Sequence, residues 1–173
     1  MKLENAVVLV TGANRGLGLA FAKEALARGA RKVYAAARNP DSITLEGVIP
    51  VKLDVTNKDD IAKLVEQCSD LTLLINNAGV AELGAMLTED AESMMRRQLE
   101  TNLYGPLRLT QSFAPVLANN GGGGIINVLS IASWITGPLL ATYSVTKSAA
   151  WSMTNAVRQE LAAQQTQVLG LHV

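Results

Sequence analysis

Residues 6–18 read AVVLVTGANRGLG, and this stretch decides the fold. The run at 6–10 is continuously apolar and rich in β-branched residues, the pattern of a strand buried on both faces of a parallel sheet. It enters Thr11-Gly12-Ala13-Asn14-Arg15-Gly16-Leu17-Gly18 directly, and a helical pattern follows over 19–28, ending at Gly29. Strand, glycine turn and helix together suit a nucleotide phosphate. Glycines let the backbone approach the anion, and the helix N-terminus offers free N–H groups and a positive dipole end. Gly12, Asn14, Arg15, Gly16, Leu17 and Gly18 are therefore candidate binding residues. The spacing is G-x-x-x-G-x-G, which differs from the widely shared G-x-G-x-x-G fingerprint, so a plain strand-to-helix turn stays open as the alternative.

Working outward, residues 32–37 (KVYAAA) predict a second strand. Dinucleotide folds that hold a free ribose 2′-hydroxyl place a carboxylate near this point. Here the sequence reads Ala36-Ala37-Arg38. Arg38 and Arg15 instead offer two guanidiniums suited to a 2′-phosphate, which favours NADP over NAD and leaves NAD possible. Two solvated surface arginines are the competing reading. A third strand over 48–53 ends in Asp54-Val55, where Asp54 is either a polar contact to an adenine edge or a helix-entry residue. An amphipathic helix is predicted over 57–68. A fourth strand over 71–75 runs into Asn76-Asn77-Ala78-Gly79. Those side chains can brace neighbouring strand ends at the edge where ligands bind in open α/β sheets; a simple turn is the alternative.

The stretch 88–119 predicts one long helix, opened by an N-cap signal at Thr88-Glu89-Asp90. A kink is expected near Asn102 because Gly105-Pro106 follows, and Asn102 could hold a water or bond freed backbone groups there. Residues 119–124 (NNGGGG) predict a flexible connection to a fifth strand at 125–129. Ser130 ends that strand, and a glycine-proline loop leads to a helix over 143–164 and a sixth strand over 167–173. Tyr143 and Lys147 stand at i and i+4 and share a helix face. A cation beside a phenol favours the phenolate, so the Tyr143 pKa is expected to fall toward neutrality. Ser130 would add a hydroxyl to the same substrate oxygen. Trp134 and Leu139 suggest an apolar pocket wall, while Trp151 and Met153 suggest core or subunit contact.

The chain has 173 residues, of which 49% are hydrophobic and 17% charged, enough for one domain with a sizeable core. Fifteen basic and fifteen acidic residues cancel, which gives no electrostatic case for nucleic acid or an anionic membrane. One cysteine, Cys68, cannot form an internal disulfide and reads as inert helix packing, which suits a reducing, cytoplasmic compartment. The only histidine, His172, has no partners at metal spacing, so no metal site is expected. No signal peptide or apolar span of membrane length is present in the sequence. Strands and helices alternate throughout, which predicts an α/β fold: a doubly wound parallel sheet of six strands with helices on both faces.

Taken together these motifs resemble the short-chain dehydrogenase/reductase family in its classical branch. TGANRGLG at 11–18 resembles the family's cofactor loop, Asp54 its adenine contact and NNAG at 76–79 its strand-bracing segment. Asn102 in TNLYG, Ser130 in NVLS and YSVTK at 143–147 resemble its catalytic tetrad, and the interval from Ser130 to Tyr143 is the one the family commonly uses. The resemblance implies a Rossmann-like domain over 1–173 and NAD(P)-dependent interconversion of a carbonyl and an alcohol on a small-molecule substrate. Tyr143 would be the general acid/base. Lys147 would bind the nicotinamide ribose, Ser130 would polarise the carbonyl, and Asn102 would hold a water in a proton relay. Val55, Asn77, Ala78 and Gly79 would complete the cofactor contacts, shared with Tyr143 and Lys147. A homodimer or homotetramer built on the long helices is also implied. Two departures stand out: Ser133 occupies a position where glycine is common, and the family's Pro-Gly turn, substrate lid and seventh strand are expected to be missing from 1–173. A dinucleotide-binding sensor or structural module without turnover is the alternative function.

Overall fold

The computed structural model describes residues 2–173. Six strands, β1 (Val7–Thr11), β2 (Lys32–Ala37), β3 (Ile49–Lys52), β4 (Leu73–Asn76), β5 (Gly123–Val128) and β6 (Thr166–Leu171), form one sheet in the order β3-β2-β1-β4-β5-β6. Every pairing is parallel. The α-helices are α1 (Gly16–Ala27), α2 (Lys58–Gln67), α3 (Ala91–Leu99), α4 (Gly105–Asn119) and α5 (Ala141–Glu160). This is the doubly wound, Rossmann-like arrangement that the alternating pattern predicts, with the strand order reversing direction between β1 and β4.

The two-residue period of β1 divides the core. Val7 and Leu9 point to one face, where they meet Ile61 and Leu64 of α2, Leu109, Phe113 and Leu117 of α4 and Val157 of α5. Val8 and Val10 point to the other, against Ala22 and Ala25 of α1. All four strand residues are fully buried, which explains why β1 reads as an unbroken apolar run. The small residues of α1 let that helix lie close to the sheet, so its N-terminus reaches the carboxyl end of β1. Cys68, the C-terminal cap of α2, is buried. Burial pushes its thiol pKa up to about 12, in keeping with inert packing.

Two expectations are corrected and one is made specific. The helix predicted from Thr88 begins at Ala91. The Thr88 hydroxyl is spent on Ala85 O at 2.9 Å, and Asp90 at the helix N-cap makes no side-chain cap. The stretch stays helical from Ala91 through Asn119, and the irregularity expected near Asn102 is a π-helical turn, Glu100–Tyr104, between α3 and α4. Finally, the glycine run is no loose connector at its far end. β5 already starts at Gly123, and a Cβ built there would lie 2.4 Å from Thr72 O. Only a residue without a side chain lets β5 pass so close to the segment leading into β4. Gly123→Ala is therefore expected to cost about 1–3 kcal/mol in urea unfolding. Gly137→Ala, whose added Cβ meets nothing within 4 Å, is expected to leave the midpoint essentially unchanged.

Candidate active site

At the point where the strand order reverses, Thr11 and Asn77 clamp the ends of β1 and β4 to each other. Thr11 Oγ1 accepts from the backbone N–H groups of Asn77 and Ala78, both at 2.9 Å, and donates to Ile75 O at 3.4 Å. In return Asn77 Nδ2 donates to Thr11 O at 2.8 Å and Gly12 O at 3.3 Å. The second asparagine of the pair works inside the sheet: Asn76 Nδ2 donates to Asn127 Oδ1 at 2.8 Å, and Asn127 Nδ2 donates to Thr154 Oγ1 at 3.0 Å. The bracing expected of this segment is thus present, divided between a residue at the cleft and one in the core.

Above the clamp the glycine turn bends into α1. Gly16 has φ +56, and a Cβ there would enter open space. Gly18 lies beneath the turn, where a Cβ would come 2.1 Å from Gly12 O and 2.5 Å from Asn77 Nδ2. Gly16 therefore keeps the mouth of the cleft clear, and Gly18 lets α1 approach the clamp. The N-cap of α1, Arg15, makes no side-chain cap, and the first turn holds no acidic residue. Its N–H groups and dipole are left to attract an anion.

The cleft that opens here measures about 820 Å³, at the upper end of ordinary ligand pockets. Gly12, Asn14, Arg15, Gly16, Leu17, Arg38, Asp54, Val55, Asn77, Ala78 and Gly79 all line it. Of the cofactor-loop residues singled out in the sequence, only Gly18 is absent from its wall. Asn39, Ser42, Thr56 and Thr101 also line the cleft and were not singled out. Their short polar side chains carry no pattern that marks them before the strands are assembled. Asp54 does two jobs at once. One of its oxygens accepts from Thr56 N at 2.9 Å and Thr56 Oγ1 at 2.7 Å, while its own N–H donates to Asp60 Oδ2 at 3.0 Å. Burial raises its pKa, but the Thr56 hydrogen bonds and the nearby Arg38 and Lys52 cations outweigh that and hold the carboxyl below the usual range. Both alternatives read for Asp54 are thus compatible: it shapes the entry to α2 and faces the cleft. A glycine cradle, an open helix N-terminus and two wall arginines fit a dinucleotide carrying several phosphates.

The other half of the site is hung on α5 by two buried rungs. Asn102, inside the π-helical turn, accepts from Val80 N at 2.9 Å and donates to Val80 O at 2.8 Å and Thr146 Oγ1 at 3.0 Å. One α-turn earlier, Gln98 accepts from Glu82 N at 3.1 Å and donates to Thr142 Oγ1 at 2.9 Å. All four side chains are at most 3% exposed. Thr146 Oγ1 in turn donates to Tyr143 O at 2.8 Å. Asn102 does bond backbone, as expected, but that of the segment after β4 and not of its own helix. Gln98, Thr142 and Thr146 were missed: their partners lie 44 positions away, beyond any local signal.

Gly79 joins the two halves. It lines the cleft, and a Cβ on it would lie 3.2 Å from Asn102 Oδ1 and 3.8 Å from Lys147 Nζ. Lys147 is 6% exposed, its Nζ donates to Val128 O at 2.8 Å, and the same atom stands 5.8 Å from the centre of the Tyr143 ring. The pair shares a face, as the spacing predicts, but the expected fall in the tyrosine pKa is not found. Burial pushes the Tyr143 phenol above its ordinary value, opposed by a hydrogen bond with the Ser130 hydroxyl. The lysine bears the cost of the same desolvation, its pKa falling from 10.5 to about 8. Ser130 caps the 3-10 turn Ile131–Ser133, its Oγ accepting from Ala132 N at 3.2 Å. Ser133, the residue expected to alter the loop, is buried; its carbonyl accepts from Ser148 Oγ at 2.9 Å. With Trp134 and Ile135 it lines a second pocket of about 500 Å³. Leu139, expected beside Trp134, is exposed and outside the lining of that pocket. Among the described residues there is no cluster of three or more His, Cys, Asp or Glu able to hold a metal. Likewise, none of the described helices is long and apolar enough to cross a membrane.

The lowered lysine pKa has a consequence for stability. Between pH 8 and 10.5 the unfolded chain holds a proton on Lys147 that the folded chain has released, so stability rises with pH over that window. Wild type is expected to gain up to about 3 kcal/mol relative to Lys147→Met across it, measured by urea unfolding at each pH. A constant difference would show that the ammonium is not desolvated.

Comparison with known proteins agrees with this geometry. The family profile described as short chain dehydrogenase matches residues 6–172. An uncharacterized oxidoreductase of Schizosaccharomyces pombe is 32% identical over 168 residues, which cover 93% of this chain and 57% of the relative. A ketoacyl reductase of Nostoc is 31% identical, covering 92% of this chain and 59% of the relative. The chain thus spans less than two thirds of the length of these curated relatives. Among solved structures, a short chain dehydrogenase from Burkholderia cenocepacia in complex with NADP superposes with a TM-score of 0.94 at 41% identity, over 98% of this chain and 72% of that one. With the family profile matching residues 6–172 and the same fold in the solved relatives, the chain belongs to the short-chain dehydrogenase family.

Proposed function

We propose that this protein is an NADP(H)-dependent oxidoreductase that interconverts a carbonyl and an alcohol on a small molecule. The observation that carries the reading is the junction at Gly79, where the floor of the phosphate-binding cleft meets Asn102 and Lys147. Arg15 and Arg38 in the cleft wall, with no carboxylate among residues 36–38, support a 2′-phosphate over a free hydroxyl. The Burkholderia relative complexed with NADP supports the same choice. Gly12, Asn14, Gly16 and Leu17 with the α1 N-terminus would hold the pyrophosphate, Asp54 and Val55 the adenine side, and Asn77, Ala78 and Gly79 the nicotinamide side.

The bound nicotinamide supplies or accepts the hydride; the chain's own groups manage the proton. A buried phenol whose pKa is raised is protonated at neutral pH, so in the reductive direction Tyr143 can give its proton to the substrate oxygen. The Ser130 hydroxyl donates to the same oxygen and polarises the carbonyl. Lys147, as a cation, stabilises the phenolate left behind, and its lowered pKa makes it a proton donor near neutral pH. The Asn102 amide is engaged with Val80 and Thr146, so its part in this reading is to fix the register of Gly79 and α5. The remaining features of the reading are a cytoplasmic location, to which the free, buried Cys68 lends support, and self-association as a homodimer or homotetramer through α4 and α5.

Tyr143→Phe is expected to remove NADPH-dependent reduction of aldehydes and ketones, by at least a hundredfold, while NADPH fluorescence titration gives nearly the wild-type affinity. NADPH binding without turnover in wild type would instead favour a sensor. Arg38→Asp is expected to weaken NADPH binding about tenfold or more and shift preference toward NADH; unaltered NADPH affinity would remove Arg38 from the cofactor site.

A further inference from the structure

The chain's only histidine and both of its tryptophans meet in one cluster beside Ser130. His172, just past β6, stacks on Trp134 with ring centres 3.9 Å apart and planes 24° from parallel. Trp151 of α5 meets both rings edge-on, at 6.1 Å from Trp134 and 5.9 Å from His172. The His172 Nδ1 lies 3.1 Å from Ser130 O. A carbonyl oxygen only accepts, so this contact requires the proton on Nδ1. The same carbonyl accepts from Ser133 N at 2.9 Å, and the two donors together fix the Ser130 peptide plane. On either side, the N–H groups of Leu129 and Ile131 donate to Leu171 O at 2.8 Å and Val173 O at 2.9 Å. Ser130 is thus held from the end of β6 at three consecutive residues, and at its own position the hold is a side chain.

We propose that His172 is a positioning residue for Ser130. Its ring, clamped by Trp134 and Trp151, donates from Nδ1 to the Ser130 carbonyl and so aims the Ser130 hydroxyl at the oxygen that Tyr143 protonates. The proposal rests on the reading of Ser130 and Tyr143 as the groups that handle the substrate oxygen. The arrangement separates two roles of one ring. The π face gives stability through the stack; the Nδ1–H gives alignment.

Two substitutions test that separation. His172→Phe keeps a ring for Trp134 and removes the donor, whereas His172→Asn keeps an N–H at the Nδ1 position and loses the ring. In NADPH-dependent reduction of benzaldehyde and related aldehydes and ketones, His172→Phe is expected to lower kcat about tenfold or more, with KM for NADPH unchanged, and His172→Asn to stay within about threefold of wild type. Thermal stability is expected to run the other way, with His172→Phe above His172→Asn. Activity that follows the stability order, or full activity in His172→Phe, would overturn the proposal. Two readouts need no turnover. In wild type the ring nitrogens, observed by 15N NMR on the single histidine, should show the neutral form protonated at Nδ1; a neutral ring protonated at Nε2 overturns the contact. With tyrosine labelled at the ζ carbon, the Tyr143 phenol should titrate higher in His172→Phe than in wild type, since a misaimed Ser130 no longer favours the phenolate. An unchanged titration overturns the positioning. If wild type reduces none of the carbonyls, the catalytic reading fails, and these two measurements still decide the role of His172.

Discussion

The reciprocal hydrogen bonding of Thr11 and Asn77 is the constraint on which the rest of the structure depends. Two parallel strands that leave a sheet in opposite senses, one toward β2 and one toward β5, must open a fork at their carboxyl ends. A fork wide enough to admit a ligand also leaves backbone groups without ladder partners. Thr11 resolves this with one hydroxyl, which accepts twice from the β4 end and donates once to it. Asn77 answers with its amide on the β1 end. Because that amide then sits directly under α1, the residue above it can carry no side chain, and Gly18 follows as a steric necessity. The glycine turn is thus a consequence of the clamp as much as a device for approaching phosphate.

A second constraint sets the chemistry. Lys147 and Tyr143 are carried on α5, which must be brought into contact with the segment after β4. The Gln98–Thr142 and Asn102–Thr146 rungs supply that contact, each running from the backbone after β4 through a buried amide to a threonine hydroxyl. Fully satisfied buried polar chains of this kind specify one arrangement, since losing one partner strands the other in a low-dielectric interior. The π-helical turn fits the same logic. It lies at the junction of α3 and α4, where it presents Asn102 to Val80 and α5. Sequence distance is what the rungs overcome: they tie residues 98–102 to 142–146 and thereby bring Lys147 to Gly79.

How much of this could be read in the chain differs by kind of interaction. The parallel sheet and the helices on both its faces were legible because β1, β2 and α1 carry their periodicity in consecutive residues. The cleft lining was legible at the glycine turn and at Arg38 for the same reason. The two rungs were not, because glutamine and threonine in helices are unremarkable until the helices cross. Nor could Gly123 be told from its neighbours in a run of four glycines, since the Thr72 carbonyl that forbids a side chain comes from the distant segment leading into β4. The Tyr143 pKa went the wrong way for an instructive reason. The i, i+4 spacing places the cation on the correct face, but it says nothing of the dielectric. Burial of both groups raises the phenol and lowers the ammonium, and Lys147 meets its first partner in Val128 O.

That outcome bears on how the site divides its labour. A free protein holding a phenolate beside an ammonium would already have relaxed toward the charged pair, and would have to give that stabilisation back on protonating a substrate. Here burial favours neither charge, so the neutral phenol is the resting form, and in the proposed reduction its proton would be available to a carbonyl. The cost appears elsewhere, as a desolvated lysine held in place by α5 and β5. Burial destabilises that cation in the ground state, and it is best compensated when negative charge develops on the neighbouring oxygen. In the proposed reaction the tyrosine and lysine would thus form a pair whose attraction is kept for the reacting state.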